Sequence, residues 1–228
     1  MSMSIWTRIM DALGALTSGE GLSAVLDRLS APPERSVAFT IAVIALGAKM
    51  AKADGQVTRD EVAAFREVFH IPPEDEKDAA RVFNLARQDV AGFRDYARKI
   101  RAMFGEGSET LCDVMEGLFH IAVADGRYHP AENDLLAEVA EAFGLPEQRF
   151  RSLRSRFVPE AGGDPYDILG VSPDMPIAQI RVAWKRLVRE THPDAMVARG
   201  LPEEAVQLAE RRMVDINRAW AEIEGARG

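Results

Sequence analysis

Residues 164–194 read DPYDILGVSPDMPIAQIRVAWKRLVRETHPD, and this stretch decides the fold of the C-terminal part of the chain. Asp164 followed by Pro165 predicts the start of a short helix, because Asp caps the first turn and Pro is favoured at the first helical position. Gly170 ends this helix. A second helix is expected from about residue 176 to 191, since its apolar residues recur at helical spacing.

A third helix is expected from about residue 202 to 224, where apolar residues again recur every three or four positions. Packed antiparallel, the second and third helices bury a shared apolar stripe, with the first helix across their base. Residues 192–200 then form an exposed loop at the tip of this hairpin, and the loop opens with His192, Pro193 and Asp194.

The polar face of the second helix carries a cluster of cations, although the chain of 228 residues has a net charge of −8. A solvated face is the ordinary explanation of such a cluster. The neighbouring His-Pro-Asp tripeptide favours a different one, because core packing does not require it. Cations beside an exposed acceptor such as Asp194 suit docking on an acidic protein surface. The cations are Arg181, Lys185, Arg186 and Arg189.

Two other functions of this surface are less consistent with the sequence. Nucleic-acid binding is not expected, because the chain is acidic overall and lacks a spread of basic and aromatic residues. Catalysis by His192 and Asp194 is not expected either, since no Ser or Cys nucleophile is identified beside them. We therefore expect a binding protein and not an enzyme.

The C-terminal part resembles DnaJ-type J domains over residues 164–224. The segments DPYDILGV, WKRLVRETHPD and NRAWAEI occur in order, which makes the resemblance specific. It implies binding to an ATP-loaded DnaK-type chaperone and triggering of its ATP hydrolysis. By the resemblance, the trigger is His192, Pro193 and Asp194, and the docking cations are Arg181, Lys185 and Arg186, with Arg189 on the same surface.

Residues upstream of this part predict a second, all-helical domain, because nearly every segment has helical periodicity and none has the alternation of a hairpin. The apolar run at 36–48 is shorter than the roughly 20 residues of a membrane span and predicts a buried helix. We expect no secretory signal and a cytoplasmic protein. Helices are expected at about 35–53, 58–70, 74–89, 91–104, 108–124, 131–143 and 146–157.

An internal repeat lies in this domain: Ala51-Lys-Ala-Asp-Gly55 recurs as Ala122-Val-Ala-Asp-Gly126, and each copy is followed by a Glu. The spacing matches the end of a calcium loop, but apolar or basic residues replace its first ligands. Capped helix starts are therefore the favoured interpretation. The alternative is that the copies meet and bind one divalent metal through Asp54, Glu61, Asp125 and Glu132.

The repeated ADG…E motif before an appended J domain is similar to the TerB-like domain of the DjlA group of co-chaperones, over roughly residues 35–157. The resemblance implies possible metal ligation by these acidic residues, and that group has an N-terminal membrane span. We divide the chain into an N-terminal amphipathic segment, a TerB-like bundle, a Pro- and Gly-containing linker and a J domain, at residues 1–30, 31–157, 158–163 and 164–228.

The expected function is that of a J-domain co-chaperone whose TerB-like domain directs a DnaK-type partner to clients or sites. The alternative is a metal- or ligand-sensing module that uses a degenerate J domain only for docking. No cofactor is expected apart from the divalent metal. Three roles are open for the N-terminal amphipathic segment: docking on the main domain, pairing with a second copy, or peripheral contact with a membrane.

Overall fold

The fold was analysed in a computed structural model of the chain. The structure describes residues 8–11, 35–53, 71, 76–88, 92–124, 126–158, 163–199, 201 and 203–227. Throughout these ranges every regular element is a helix, which confirms the all-α prediction.

The N-terminal domain contains six of the described helices, and their positions follow the predicted ones closely. The predicted helix at 58–70 lies outside the described residues. The helices are α1 (Arg35–Ala53), α2 (Glu76–Gln88), α3 (Phe93–Phe104), α4 (Glu109–Ala122), α5 (Pro130–Phe143) and α6 (Glu147–Phe157).

Helix α1 is the centre of this domain. Its side chains from Phe39 to Met50 are all buried, and α2, α3, α4 and α5 pack around it. A Cβ on Gly47 would lie 3.3 Å from Ile121 of α4, and a Cβ on Gly117 of α4 would lie 3.3 Å from Val43. The two glycines therefore permit a close crossing of α1 and α4. The predicted buried helix is confirmed.

The N-terminal segment contributes to the same core. Residues 8–11 are helical, Ile9 is fully buried among the core side chains, and Met10 packs against them. Of the three roles left open by the sequence, Ile9 therefore takes the first, docking on the main domain. The rest of the amphipathic segment lies outside the described residues.

The second copy of the repeat is described except for Asp125, and it forms the predicted turn between two helices. Gly126 has a φ of +79°, the left-handed conformation that glycine adopts readily. Pro130 occupies the first turn of α5, as predicted. The first copy, from Asp54 onward, lies outside the described residues.

The C-terminal domain has the predicted helical hairpin. Asp164 caps its first helix by accepting a 2.9 Å hydrogen bond from the amide of Tyr166, and Gly170 ends it with a φ of +65°. Trp184 and Trp220 stack between the two long helices with ring centroids 5.1 Å apart. The helices are α7 (Pro165–Leu169), α8 (Ile177–Thr191), α9 (Pro193–Ala198) and α10 (Glu203–Arg227).

Two expectations about the domain junction are wrong. Residues 193–198 form the short helix α9, and Met196 is buried, so the tip of the hairpin is only partly an exposed loop. The Pro and Gly residues of the linker suggested some freedom of orientation for the second domain. Instead α7 packs on α6, and α10 contacts α4. Apolar and charged side chains are buried between the domains, and these contacts fix their orientation.

Candidate partner-docking site

Helix α8 has an apolar face against its own domain and a cationic face toward solvent. Ile180 and Leu187 are buried in one apolar cluster with residues of α7 and α10, and Thr191 is also buried. Arg181, Val182, Lys185, Arg186 and Arg189 lie on the opposite, exposed face of the helix. Val182 lies on this outer face with 67% of its surface exposed, an unusual place for a valine.

The four predicted cations are all exposed, and their pairing inside the protein is weak. Arg181 forms a 2.8 Å ion pair with Glu224, in which both side chains are about half exposed. Arg186 lies 3.6 Å from Glu190. Among the residues that the structure describes, none forms an ion pair with Lys185 or Arg189. Exposed pairs contribute little energy, so a partner can compete for these cations.

The His-Pro-Asp tripeptide joins α8 to α9 in a defined geometry. His192 is the N-cap of α9, and its Nδ1 accepts a 3.2 Å hydrogen bond from the amide of Asp194. This bond requires Nδ1 to be free of a proton. Pro193 occupies the first turn of α9 and restrains the backbone. The side chains of His192 and Asp194 are 49% and 93% exposed, so the predicted exposure of both is confirmed.

Two family models match the chain in N- to C-terminal order. The model described as tellurite resistance protein TerB matches residues 40–155, just over half of the chain, and the model described as DnaJ domain matches residues 164–224. The chain belongs to the TerB family, and its two matched domains and their order are those of a DjlA-like co-chaperone. The TerB domain is thus the N-terminal helical domain, and the J domain is the C-terminal one.

Its relatives share this two-domain span. Co-chaperone protein DjlA of Aliivibrio fischeri is 29% identical, and the alignment covers 86% of this chain and 81% of that protein. The protein of the same name from Photobacterium profundum is 26% identical over 86% and 80% of the two chains. That of Escherichia coli O157:H7 is 24% identical over 86% and 82%. No solved structure matches the chain.

The expected cytoplasmic location is wrong. The relatives are DjlA proteins, and DjlA proteins are membrane-anchored co-chaperones. The sequence argument relied on the short apolar run that became α1 and on the absence of a recognisable secretory signal, and neither observation excludes a membrane anchor. Within the described ranges, no helix combines the length and the apolar character needed to cross a bilayer.

The TerB domain contacts the J domain directly behind the tripeptide. Met196 of α9 and Leu201 belong to the same apolar cluster as the TerB helices. Arg199 donates from Nε and Nη2 to Oδ2 of Asp113, at 3.2 and 2.9 Å, and from Nη1 to the carbonyl of Glu190 at 3.0 Å. One guanidinium therefore joins TerB helix α4 to the end of α8.

A second contact lies deeper in the junction, where Glu116 of α4 meets two buried arginines. Glu116 contacts Arg212 of α10 and lies 3.3 Å from Arg156 of α6. Arg156 also donates to the carbonyl of Ile168 in α7, at 3.3 and 3.2 Å. Buried charges are costly unless they are paired, and this network gives each of the buried arginines a carboxylate partner.

Burial shifts the pKa of several groups in this junction. It raises the pKa of Asp113, and Arg212 and Arg199 oppose that rise. It lowers the pKa of Arg156, with nearby Arg149 acting in the same direction. Burial also raises the pKa of Glu190, aided by the charge of Glu109. In each group the loss of hydration disfavours the charged form.

The metal hypothesis remains a prediction, because three of its four residues, Asp54, Glu61 and Asp125, lie outside the described residues. The fourth, Glu132, is buried, and its Oε2 accepts a 2.8 Å hydrogen bond from the amide of His129. Glu132 thus caps the start of α5, which is the interpretation that the sequence favoured. In the part of the chain that is described, no group of three or more candidate ligands lies together.

Sequence reasoning missed the residues that join the two domains. Asp113 and Glu116 stand in the otherwise apolar helix α4, and both are buried. Carboxylates buried in such a helix require cationic partners, so the sequence already indicated that Asp113 and Glu116 form buried ion pairs. Nothing in the sequence identified Arg199 and Arg212 as those partners, because the pairing depends on how the two domains meet.

Proposed function

We propose that the J domain docks on an ATP-loaded DnaK-type chaperone and stimulates its ATP hydrolysis. The observation that carries the proposal is the exposure of His192 and Asp194 at the end of the cationic helix α8. Neither side chain is needed for the core of its own domain. The DnaJ-domain match and the co-chaperone names of the relatives support the choice of partner.

The cations of α8 and the His-Pro-Asp tripeptide contribute to docking in different ways. The cations of α8 attract an acidic surface at long range and set the register of the encounter. The tripeptide makes the short-range contacts, since the carboxylate of Asp194 is a charge-assisted acceptor and the Nε2 edge of His192 is a donor when Nδ1 accepts. The chemistry of hydrolysis takes place on the chaperone, so this chain needs no catalytic group.

The TerB domain has the complementary role of directing the chaperone to clients or sites. Its large apolar core packs around α1, so its outer helix faces are free to bind a client. Fixed contacts at the domain junction mean that a client bound to the TerB domain would be held in a constant direction from the J domain. This arrangement favours targeting over a flexible tether.

A single-turnover ATPase assay with the DnaK-type chaperone of the same cell tests the proposal. The full chain should accelerate hydrolysis, and His192→Gln should abolish the acceleration. His129→Gln is a matched control, because His129 is likewise an exposed N-cap followed by a proline. It should leave the acceleration unchanged. No acceleration by the wild-type chain would favour the alternative, a sensing module whose J domain only docks.

A further inference from the structure

The segment that follows the tripeptide is held by the other domain. Met196 is 1% exposed and Leu201 is also buried, and both lie in the apolar cluster of the TerB helices. Within the segment, the amide of Leu201 donates to the carbonyl of Met196 at 3.2 Å. The C-terminal side of the tripeptide is therefore packed against the TerB domain.

The N-terminal side of the tripeptide is held by the same contact. Arg199 donates two hydrogen bonds to Asp113 of α4 and a third to the carbonyl of Glu190, just before the end of α8. Asp113 is only 3% exposed, and Arg212 lies 3.8 Å from its other oxygen. The carboxylate is thus fixed in place, and it fixes both backbone segments that flank His192–Asp194.

These contacts leave the docking surface open. The TerB domain packs against Met196 of α9 and contacts α10, whereas the side chains of His192 and Asp194 and the cations of α8 face solvent. An inhibitory contact would cover those side chains. The arrangement found here instead restrains the backbone that carries them.

We propose that Asp113 of the TerB domain is a positioning residue for the tripeptide: through Arg199 it holds His192–Asp194 in the conformation that docks on the chaperone. The inference rests on the proposed function. If the chaperone binds only one conformation of the tripeptide, its apparent affinity is its affinity for that conformation multiplied by the fraction of chains that adopt it. Loss of the contact should therefore weaken docking without altering the bound complex.

The test is an ATPase titration with the full chain and three variants: Asp113→Asn, Arg199→Gln and the double variant. Each single variant should raise the half-saturating concentration about tenfold, with the maximal stimulation unchanged. The double variant should resemble the singles, because both residues act through one contact. Arg94→Gln, which removes an exposed ion pair with Glu138, is the control and should have no effect.

Three results would overturn the inference. Unchanged titrations for Asp113→Asn and Arg199→Gln would show that the contact does not position the tripeptide. An effect of Arg199→Gln alone would show that Arg199 touches the chaperone, since buried Asp113 cannot. Stronger stimulation by either variant would show that the contact inhibits docking. Because Arg199 is partly exposed, its variant still tests the contact if Asp113→Asn unfolds the domain.

A second readout does not need the chaperone. The amides of Arg199 and Leu201 form hydrogen bonds inside the segment, so their hydrogen exchange reports how firmly it is held. Both variants should speed exchange at 195–201 at least about tenfold and leave α5 unchanged. Unchanged exchange would overturn the inference. If the wild-type chain fails to stimulate the chaperone, the proposed function fails, and exchange still reports on the contact.

Discussion

The carboxylate of Glu116, in the TerB domain, contacts the guanidinium of Arg212, in the J domain, and both side chains are buried. Arg156 lies on the other side of the same carboxylate, at 3.3 Å, and is also buried. Glu116 therefore pairs with both arginines at the domain junction, and Asp113 lies 3.8 Å from Arg212 as a second counter-charge. The two domains therefore meet in a specific interface with buried ion pairs, and substitutions that disrupt it should lower the free energy of unfolding.

Replacement of Glu116 by Gln should lower the free energy of unfolding by about 3–5 kcal/mol, because it leaves buried arginines without their counter-charge. Urea unfolding followed by circular dichroism measures this change. Glu106→Gln is the matched control: Glu106 pairs with Arg101 at the surface, and its loss should cost no more than about 0.5 kcal/mol. Equal effects of the two substitutions would contradict the account of the junction.

The free energy of unfolding should depend on pH through the ionisation of Asp113. Burial raises its pKa in the folded chain above the value of about 3.9 expected when unfolded. The folded state then binds the proton more tightly, so this carboxyl favours folding increasingly as pH falls through the raised pKa, until the unfolded pKa is reached.

The measurement is the free energy of unfolding of the wild type minus that of Asp113→Asn, followed from pH 7 to pH 4. The difference should become more favourable to the wild type on acidification, since Asn imitates the neutral carboxyl at every pH. A difference that shrinks as the pH falls would mean that the arginines, and not burial, dominate at Asp113.

Cys112 offers a direct reporter of opening at the junction, because it is the single cysteine of the chain and is buried beside Arg149. Burial raises the pKa of its thiol, so little thiolate is present near neutral pH. We expect slow labelling by a disulfide reagent in the native chain.

Labelling of Cys112 should become faster in Glu116→Gln, about tenfold for every 1.4 kcal/mol taken from the free energy of opening. The rate in Glu106→Gln should equal that of the wild type. Native labelling as fast as that of the chain unfolded in urea would contradict the burial of this thiol.

Charge reversal on α8 should weaken docking. Lys185→Glu with Arg186→Glu should lower the affinity for the ATP-loaded chaperone at least about tenfold and remove most of its dependence on salt, because the attraction at long range is lost. Arg94→Glu with Arg98→Glu changes the net charge equally on exposed side chains of α3 and should preserve the binding. Similar losses for both pairs would indicate a nonspecific effect of net charge.

The helices and the tripeptide could be predicted from sequence because their signals are local. Capping by Asp164, the turn at Gly170 and the apolar stripe of α8 each depend on residues close in the chain, and all were found as expected. The position of α9 was not predicted. Its burial depends on Met196 meeting the TerB core, a contact between residues far apart in sequence.

The ion pairs at the domain junction could not be predicted for the same reason, because their partners lie far apart in sequence. The sequence placed Asp113 and Glu116 in an apolar helix, which is sufficient to predict that they need partners. It did not indicate which of the many arginines pair with them. Arg212 lies on the same helix as the exposed Arg218, and only the packing of the two domains distinguishes the two arginines.

Site-specific photo-crosslinking from position 182 tests the central claim most directly. Val182 is exposed among the cations of α8, so a photoreactive amino acid there should not disturb the core. It should crosslink to the ATP-loaded DnaK-type chaperone, His192→Gln should abolish the crosslink, and the same probe at exposed Asp134 of α5 should give none. Equal crosslinking from both positions, or a crosslink indifferent to His192→Gln, would contradict docking through this face.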